Sequence, residues 1–418
     1  MSPAMLVADD DERCYDETAE SQYQKGVKLL CENGLHRVPK KYILPASERP
    51  SSTNTGDPNV TNRQNLQLPI IDFADLLGPK RSQVLNSLAE ACQLYGFFQV
   101  CVYIFGIKFW KSNHTHTQTH TRLLERIQSE SDNSSLAQLV NHGIQEDVTR
   151  KMIEVSGRFF NLAFEERAKY MTPDIRAPVR YGTSFSQTRD TVFCWRDFLK
   201  LQCHPLPDFL PHWPASPVDL REVASTYAQE TKHLFLALME AILESLGIVE
   251  ASQEETEKKE ILKDFKDGSQ IMVANYYPPC PEPDLTLGMP PHSDYGFLTL
   301  LLQDDVEGLQ IHHQQHWLTV DPMPNAFVVN VGDHLEIYSN GKYKSVLHRV
   351  LVNGVKSRRS VASLHSLPFN CVVRPSPKVI DEMNPKRYKD TDFGSFLEYI
   401  STKVPKRKDF LESRKLTN

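Results

Sequence analysis

Apolar positions follow two different rhythms along the chain. Lys80 to about Leu94, Glu146 to about Met171 and Val218 to Leu246 carry them at three- and four-residue steps, which predicts amphipathic helices. In the last of these, Leu234, Leu238, Ile242 and Leu246 make one stripe. From Gln270 onward the step shortens to two, in brief runs separated by Pro, Gly and Asn: Ile271 to Tyr277, Phe297 to Leu302, Gly308 to His312, Trp317 to Val320, Ala326 to Val331, Ser345 to Leu351 and Arg358 to Leu364. Such closely spaced short strands predict a barrel or a double-sheet jelly roll. Helices come first and strands later, so the class is α+β, with a helix over Phe393 to Ile400 closing the C-terminal end. The organisation expected is a polar lead-in over 1–65, an N-terminal region over 66–180, a strand and long helix over 181–265, the strand-rich core over 266–372, and a helical tail over 373–418.

One stretch breaks the pattern. Leu68 to Phe73 predicts a short buried strand and Gly96-Phe97-Phe98-Gln99 begins a second, but from Val100 to Gln138 the composition turns to an aromatic run, a His-Thr tract and a Ser-rich segment. Leu139-Val140-Asn141-His142-Gly143-Ile144 then reads as the other half of the second strand. Removing the middle restores one continuous apolar strand. Every valine codon begins GT and one glutamine codon ends AG, so the edges fit a retained intron, and a CA repeat would encode the tract. His114, His116 and His120 offer metal-ligand chemistry, but nothing around them supplies a supporting frame, and low-complexity sequence is the better reading.

Composition removes several classes. At 418 residues the chain exceeds a typical single core, so one large domain with a helical annex, or two domains, is expected. A formal net charge of -6 gives no basic footprint for nucleic acid. The eight cysteines are scattered without a CxxC pair, which fits a reducing compartment. The acidic start lacks a signal peptide, and the apolar run from Phe97 to Trp110 is too short and too interrupted to span a bilayer. A cytoplasmic location with no membrane partner is therefore expected; no feature sets an oligomeric state.

The chemistry concentrates in His292-Ser293-Asp294, His348 and Arg358-Arg359-Ser360. Side chains two apart on a strand share a face, so His292 and Asp294 can both approach one metal, and His348 follows a turn at Ser339-Asn340-Gly341 and enters from a neighbouring strand. Two imidazoles and one carboxylate with open positions suit ferrous oxygenases, although zinc hydrolases use similar sets. His334-Leu335-Glu336 repeats the spacing and reads as structural, part of the turn opened by Gly332-Asp333. Arg358 and Ser360 share the next face, where a guanidinium fork and a hydroxyl match a carboxylate, while Arg359 points away. Tyr277, ending its own strand, can donate its phenol to the same acid.

Asn275-Tyr276-Tyr277-Pro278-Pro279-Cys280-Pro281, His292-x-Asp294, Asn330-Val331-Gly332-Asp333, the run Ser339 to Ser345, His348-Arg349 and Arg358-x-Ser360, in this order, resemble the plant 2-oxoglutarate and Fe(II)-dependent dioxygenases that include flavanone 3-hydroxylase, flavonol synthase and anthocyanidin synthase. The likeness extends from about Leu68 to the C-terminus, with 100–138 as a foreign interruption. It implies a double-stranded β-helix core, Fe(II) on His292, Asp294 and His348, and 2-oxoglutarate on Arg358, Ser360 and Tyr277 with Asn275 nearby. It also implies an ascorbate requirement, and O2 and a small metabolite as partners. Oxidative decarboxylation of 2-oxoglutarate to succinate and carbon dioxide would drive hydroxylation or desaturation of that metabolite, with a flavonoid or phenolic compound expected. Where anthocyanidin synthase-like proteins carry an aromatic and an acidic residue, this chain has Leu364 and Ser366, which leaves phenolic and hormone-like acids open. Phe297, Tyr295 and Phe185 are the candidate substrate contacts. A same-fold oxidase that dispenses with 2-oxoglutarate and a non-catalytic product of aberrant splicing are the competing readings.

Overall fold

A computed structural model describes residues 25–50, 65–101, 144–184, 190–250, 254–402 and 408–416. Among these described residues thirteen strands run in chain order: β1 (Asn65–Leu66), β2 (Ile70–Asp72), β3 (Phe97–Cys101), β4 (Val179–Thr183), β5 (Asp197–Gln202), β6 (Gln270–Tyr277), β7 (Met289–His292), β8 (Leu298–Gln303), β9 (Leu309–His313), β10 (His316–Val320), β11 (Ala326–Val331), β12 (His348–Val350) and β13 (Arg358–His365). They form an eight-stranded sheet ordered β2-β3-β11-β8-β13-β6-β5-β4 and a five-stranded sheet ordered β1-β10-β9-β12-β7. Of the barrel and the jelly roll that the short alternating runs predict, this is the jelly roll, and it is the double-stranded β-helix that the family resemblance implies.

Alternation gives the large sheet two different faces. Met272 and Ala274 of β6, Leu298, Leu300 and Leu302 of β8, and Val361 of β13 are buried in the main hydrophobic core. The same core holds Leu234, Leu238, Ile242 and Leu246, so the helix Leu220–Ser245 lays its expected stripe against that face. The intervening residues, among them Val273, Asn275 and Tyr277 of β6 and Ser360, Ala362 and Leu364 of β13, line a cavity on the other side. Leu309 of β9 and His348 and Val350 of β12 line it from the small sheet. The cavity therefore lies between the sheets.

Several expectations need correction. The predicted helix from Glu146 to Met171 is two, Glu146–Phe160 and Phe164–Ala168, because Asn161 caps the first and Ala163 turns extended (φ -54°, ψ 148°) before the second. Glu255–Lys266 is a helix that its dense charge concealed; Ile261, Leu262 and Phe265 still pack on the core. The polar lead-in is folded in part. Val27–Glu32 is helical, and the buried Asp197 carboxylate accepts the backbone N–H groups of Val27 (2.8 Å) and Lys28 (3.2 Å). Tyr42 is fully buried, edge-on to Trp195 with ring centroids 5.4 Å apart. Strands from the three expected regions 66–180, 181–265 and 266–372 share one sheet, so these are parts of one core.

The second strand also continues past the expected break. Val100 pairs with Phe327 and Cys101 with Ala326, so the first two residues beyond Gln99 complete the ladder. The His-Thr tract lies outside the described residues. Among the described residues, no helix is long and apolar enough to cross a membrane.

Candidate active site

Two of the three candidate ligands come from adjacent strands, and the third follows one of them. His292, the last residue of β7, stands directly across the antiparallel ladder from His348, the first residue of β12, and their ring centroids are 4.1 Å apart. Asp294 lies just beyond β7, and its Oδ1 is 3.7 Å from His292 Nε2 and 3.8 Å from His348 Nε2. These separations are too long for hydrogen bonds. The three donor atoms all lie within 4.8 Å of one another, a spacing that fits one shared ion. No other group of three such side chains is found among the described residues.

Each donor is aimed by a second bond. His292 Nδ1 meets the carbonyl of Pro290 at 2.9 Å, and His348 Nδ1 meets that of Val346 at 3.3 Å. A carbonyl only accepts, so Nδ1 carries the proton in both rings and the Nε2 lone pair faces Asp294. Asp294 Oδ2 accepts from Thr299 Oγ1 (2.6 Å) and Asn330 Nδ2 (2.8 Å), which leaves Oδ1 toward the imidazoles. Burial, then the neighbouring His348, lowers the His292 pKa and keeps that ring neutral. Burial works to raise Asp294, but the two imidazoles and the hydrogen bonds from Thr299 and Asn330 outweigh it and hold the carboxyl below its ordinary range. A neutral His292 imidazole beside an ionised Asp294 carboxylate is the protonation state in which such donors bind a divalent transition-metal ion.

Arg358 enters the same cavity from β13. Its Nε donates to the Val306 carbonyl (3.2 Å) and its Nη2 to Gln303 Oε1 (2.8 Å), while Nη1 is buried with no hydrogen-bond partner among the described residues. Leaving such a donor unpaired costs about 1–3 kcal/mol, which a carboxylate at this position recovers. Gly308 makes room: a Cβ there would stand 2.9 Å from the Arg358 Cδ. Ser360 accepts a long bond from Asn275 Nδ2 (3.5 Å), and the Arg358 guanidinium lies 5.2 Å from the centre of the buried Tyr277 ring. Arg359 points away, as expected, toward Asp304.

The candidate substrate contacts separate. Tyr295 lines the cavity and stacks on Phe396 of the helix Phe393–Thr402, with centroids 4.7 Å apart. Phe297 does not line it. That residue is fully buried, edge-on to Phe265 at 5.0 Å and Tyr338 at 5.5 Å, because the turn at Gly296 breaks the alternation before β8 begins. Phe185 lies outside the described residues. Leu364 faces the cavity, whereas Ser366 lies past the end of β13 and bonds His334 Nδ1 at 2.8 Å. His334 and Glu336 are structural, as expected, on a short helix, Asp333–Tyr338, in place of a turn. Glu336 accepts from the Ser345 backbone (2.7 Å) and from Tyr388 (2.8 Å).

Sequence reasoning missed Thr299 and Asn330, and it missed Arg180, Arg196 and Lys200, which also line the cavity. Asn330 sits in a quoted motif, but its bond to Asp294 exists only because β11 pairs with β8. The cavity has a volume of about 280 Å³ and also takes in Phe97, Phe198, Met289 and Leu301.

Comparison with known proteins agrees with this geometry. The family model described as the 2OG-Fe(II) oxygenase superfamily matches residues 268–366, and one described as the N-terminal region of the non-haem dioxygenase in morphine synthesis matches residues 107–216. The chain is 35% identical to Protein DMR6-LIKE OXYGENASE 2 of Arabidopsis thaliana, over 87% of this chain and 90% of that one. It is 36% identical to Flavanone 3-dioxygenase 2 of Oryza sativa subsp. japonica, over 90% of this chain and 93% of that one. The crystal structure of JOX2 in complex with 2OG, Fe and JA superposes with a TM-score of 0.73 at 29% identity, covering 94% of this chain and 98% of that one. With the jelly roll, the His-Asp-His cluster and these relatives in agreement, the chain belongs to the 2OG-Fe(II) oxygenase superfamily, as a 2-oxoglutarate-dependent dioxygenase of the plant type.

Proposed function

We propose that His292, Asp294 and His348 hold the ferrous ion, that Arg358, Ser360 and Tyr277 with Asn275 beside them hold 2-oxoglutarate, and that the enzyme hydroxylates or desaturates a small flavonoid or phenolic metabolite. The observation that carries this reading is the pairing, in one cavity, of three donor atoms within 4.8 Å of one another with the buried, unpartnered Nη1 of Arg358. The orphan donor also argues against an oxidase that does without the co-substrate. When bound, the iron and 2-oxoglutarate together supply an oxidant able to attack a C–H bond, at the cost of converting 2-oxoglutarate and O2 to succinate and carbon dioxide.

The chain's own residues do the positioning. The Pro290 and Val346 carbonyls fix both imidazole rings, and Thr299 and Asn330 fix the carboxylate. Arg358 presents its donor to the distal acid of the co-substrate and Ser360 adds a hydroxyl. Phe97, Leu301, Leu309 and Val350 give the cavity apolar walls that exclude water. Tyr295, stacked on Phe396, offers an aromatic surface to the metabolite. A flavanone is named for one relative and JA for one structural neighbour, so ring-containing small metabolites are the class assigned here. Ascorbate would keep the iron ferrous, and a cytosolic location agrees with the free thiols of Cys31, Cys92, Cys194, Cys203, Cys280 and Cys371.

Anaerobic titration with ferrous iron and 2-oxoglutarate tests the metal and co-substrate assignment. Wild-type protein should develop the metal-to-ligand charge-transfer band of a chelated 2-oxo acid and His292→Ala should not. A band of equal strength in both rejects the assignment.

A further inference from the structure

We infer that Asp333 is a positioning residue for the metal site, a buried carboxylate that ties the strand end bearing His292 and Asp294 to the turn that delivers His348. The inference rests on the metal assignment above and adds to it the tie that holds its two halves together.

The sheet alone holds those halves weakly. β7 is the edge of the small sheet, and its sequence is Met289-Pro290-Pro291-His292. A proline has no backbone N–H, so the two middle residues give β12 no ladder donor. The register between the two strands is also irregular, with His292 opposite His348 and Met289 opposite Val350. Asp294 lies past the end of β7, beyond the last of these pairs.

Asp333 supplies what the ladder lacks. Its Oδ2 accepts from the hydroxyl of Ser293, which sits between two of the ligands, at 3.2 Å, and its Oδ1 accepts from that of Ser345, just upstream of His348, at 2.7 Å. Its backbone N–H donates to the Asp294 carbonyl at 2.7 Å. Ser345 is held at its backbone as well: its N–H donates to Glu336 Oε2 (2.7 Å), and its carbonyl accepts from Lys408 Nζ (2.5 Å). The next carbonyl, that of Val346, is the one that His348 Nδ1 meets. Fixing Ser345 therefore fixes the group that aims the ring.

A carboxylate that opens a helix can simply complement the helix dipole, and Asp333 is the first residue of the helix Asp333–Tyr338. That role needs neither burial nor a remote partner. Asp333 is 3% exposed, and its oxygens bond hydroxyls 40 and 12 residues away along the chain. Burying an ionisable group costs free energy that a neutral side chain would not, and the two hydroxyls reduce that cost only while both strand ends stay docked. Gly332 permits the close approach: a Cβ there would stand 2.1 Å from the Gly296 carbonyl oxygen and 3.1 Å from that of Asp294.

The test compares full-length wild type with Ser293→Ala, Ser345→Ala, the double variant and Asp333→Ala. Equilibrium dialysis against ferrous iron without oxygen gives the affinity, and a melting curve on each iron-free sample gives the stability. Each serine substitution should weaken iron binding by about tenfold. The double variant should bind no more weakly than the worse single one, because a bridge cut at one end is already cut. Asp333→Ala should match the double variant, and the serine variants decide the question if it does not fold. Either single variant binding iron as wild type does, losses that multiply in the double, or lower iron-free melting with affinity unchanged overturns the inference and leaves the metal assignment standing. Wild-type protein that binds no iron overturns the metal assignment, and this inference with it.

Discussion

Asn330 donates to Asp294 Oδ2 at 2.8 Å and so decides which oxygen of that carboxylate faces the two imidazoles. The bond links a residue in β11 to one just after β7, and Thr299 of β8 completes it from the other side at 2.6 Å. Partners of this kind set the orientation of metal ligands without touching the metal. Asn330→Ala should therefore weaken ferrous iron binding by about 10–100-fold while the protein stays folded. Equilibrium dialysis against iron, with a melting curve on the same sample, measures both. Unchanged affinity would show that Asp294 is oriented by something else.

Arg358 makes a narrower prediction. Its Nε and Nη2 are bonded within the chain and its Nη1 has no hydrogen-bond partner among the described residues, so truncating the guanidinium removes the donor proposed for the acid along with two internal bonds. A hydrogen bond to a charged group is worth about 1.5–3 kcal/mol, and Arg358→Gln should raise the KM for 2-oxoglutarate by roughly 10–150-fold. Succinate formation against 2-oxoglutarate concentration reads it directly. A change confined to kcat would place Arg358 elsewhere in the reaction.

The His-Asp-His cluster was legible because its elements are local. His292 and Asp294 are two residues apart, and the strand bearing His348 is announced by the turn residues Ser339-Asn340-Gly341; Asn340 and Gly341 take φ values of 53° and 81°. Arg358 and Ser360 were legible for the same reason, since period two held along the whole of β13. What escaped was made by sheet order. Arg180 is far in sequence from Ser360, and only the neighbour relation β13-β6-β5-β4 brings their strands into one wall. Phe297 was offered as a substrate contact without a structural argument, and beside the bend at Gly296 its side chain falls into the core with Phe265 and Tyr338. The helix Glu255–Lys266 was missed because only Ile261, Leu262 and Phe265 carry its packing.

The interruption after Gln99 has its own consequence. Val100 and Cys101 fill the two ladder positions opposite Phe327 and Ala326 that Leu139 and Val140 would take if Val100 to Gln138 were removed. Both substitutes are apolar, so the shortened chain keeps the register of β3 and closes a much shorter connection to the helix Glu146–Phe160. The deletion variant should be soluble and melt no lower than the full chain. Sequencing of the transcript across this junction tests the retained-intron origin, which requires a spliced message that lacks the segment. Aggregation of the full chain beside a soluble, active deletion variant would make the longer product non-catalytic.

The central claim is that Asp294, with His292 and His348, holds the iron at which 2-oxoglutarate is consumed. The most direct measurement is succinate formed from 2-oxoglutarate in air by iron-loaded protein, comparing wild type with Asp294→Ala. Wild type should form succinate, ferrous iron should be required, and the substitution should abolish the product while leaving a folded protein. Succinate at an undiminished rate from Asp294→Ala, or none from iron-loaded wild type, would contradict the account.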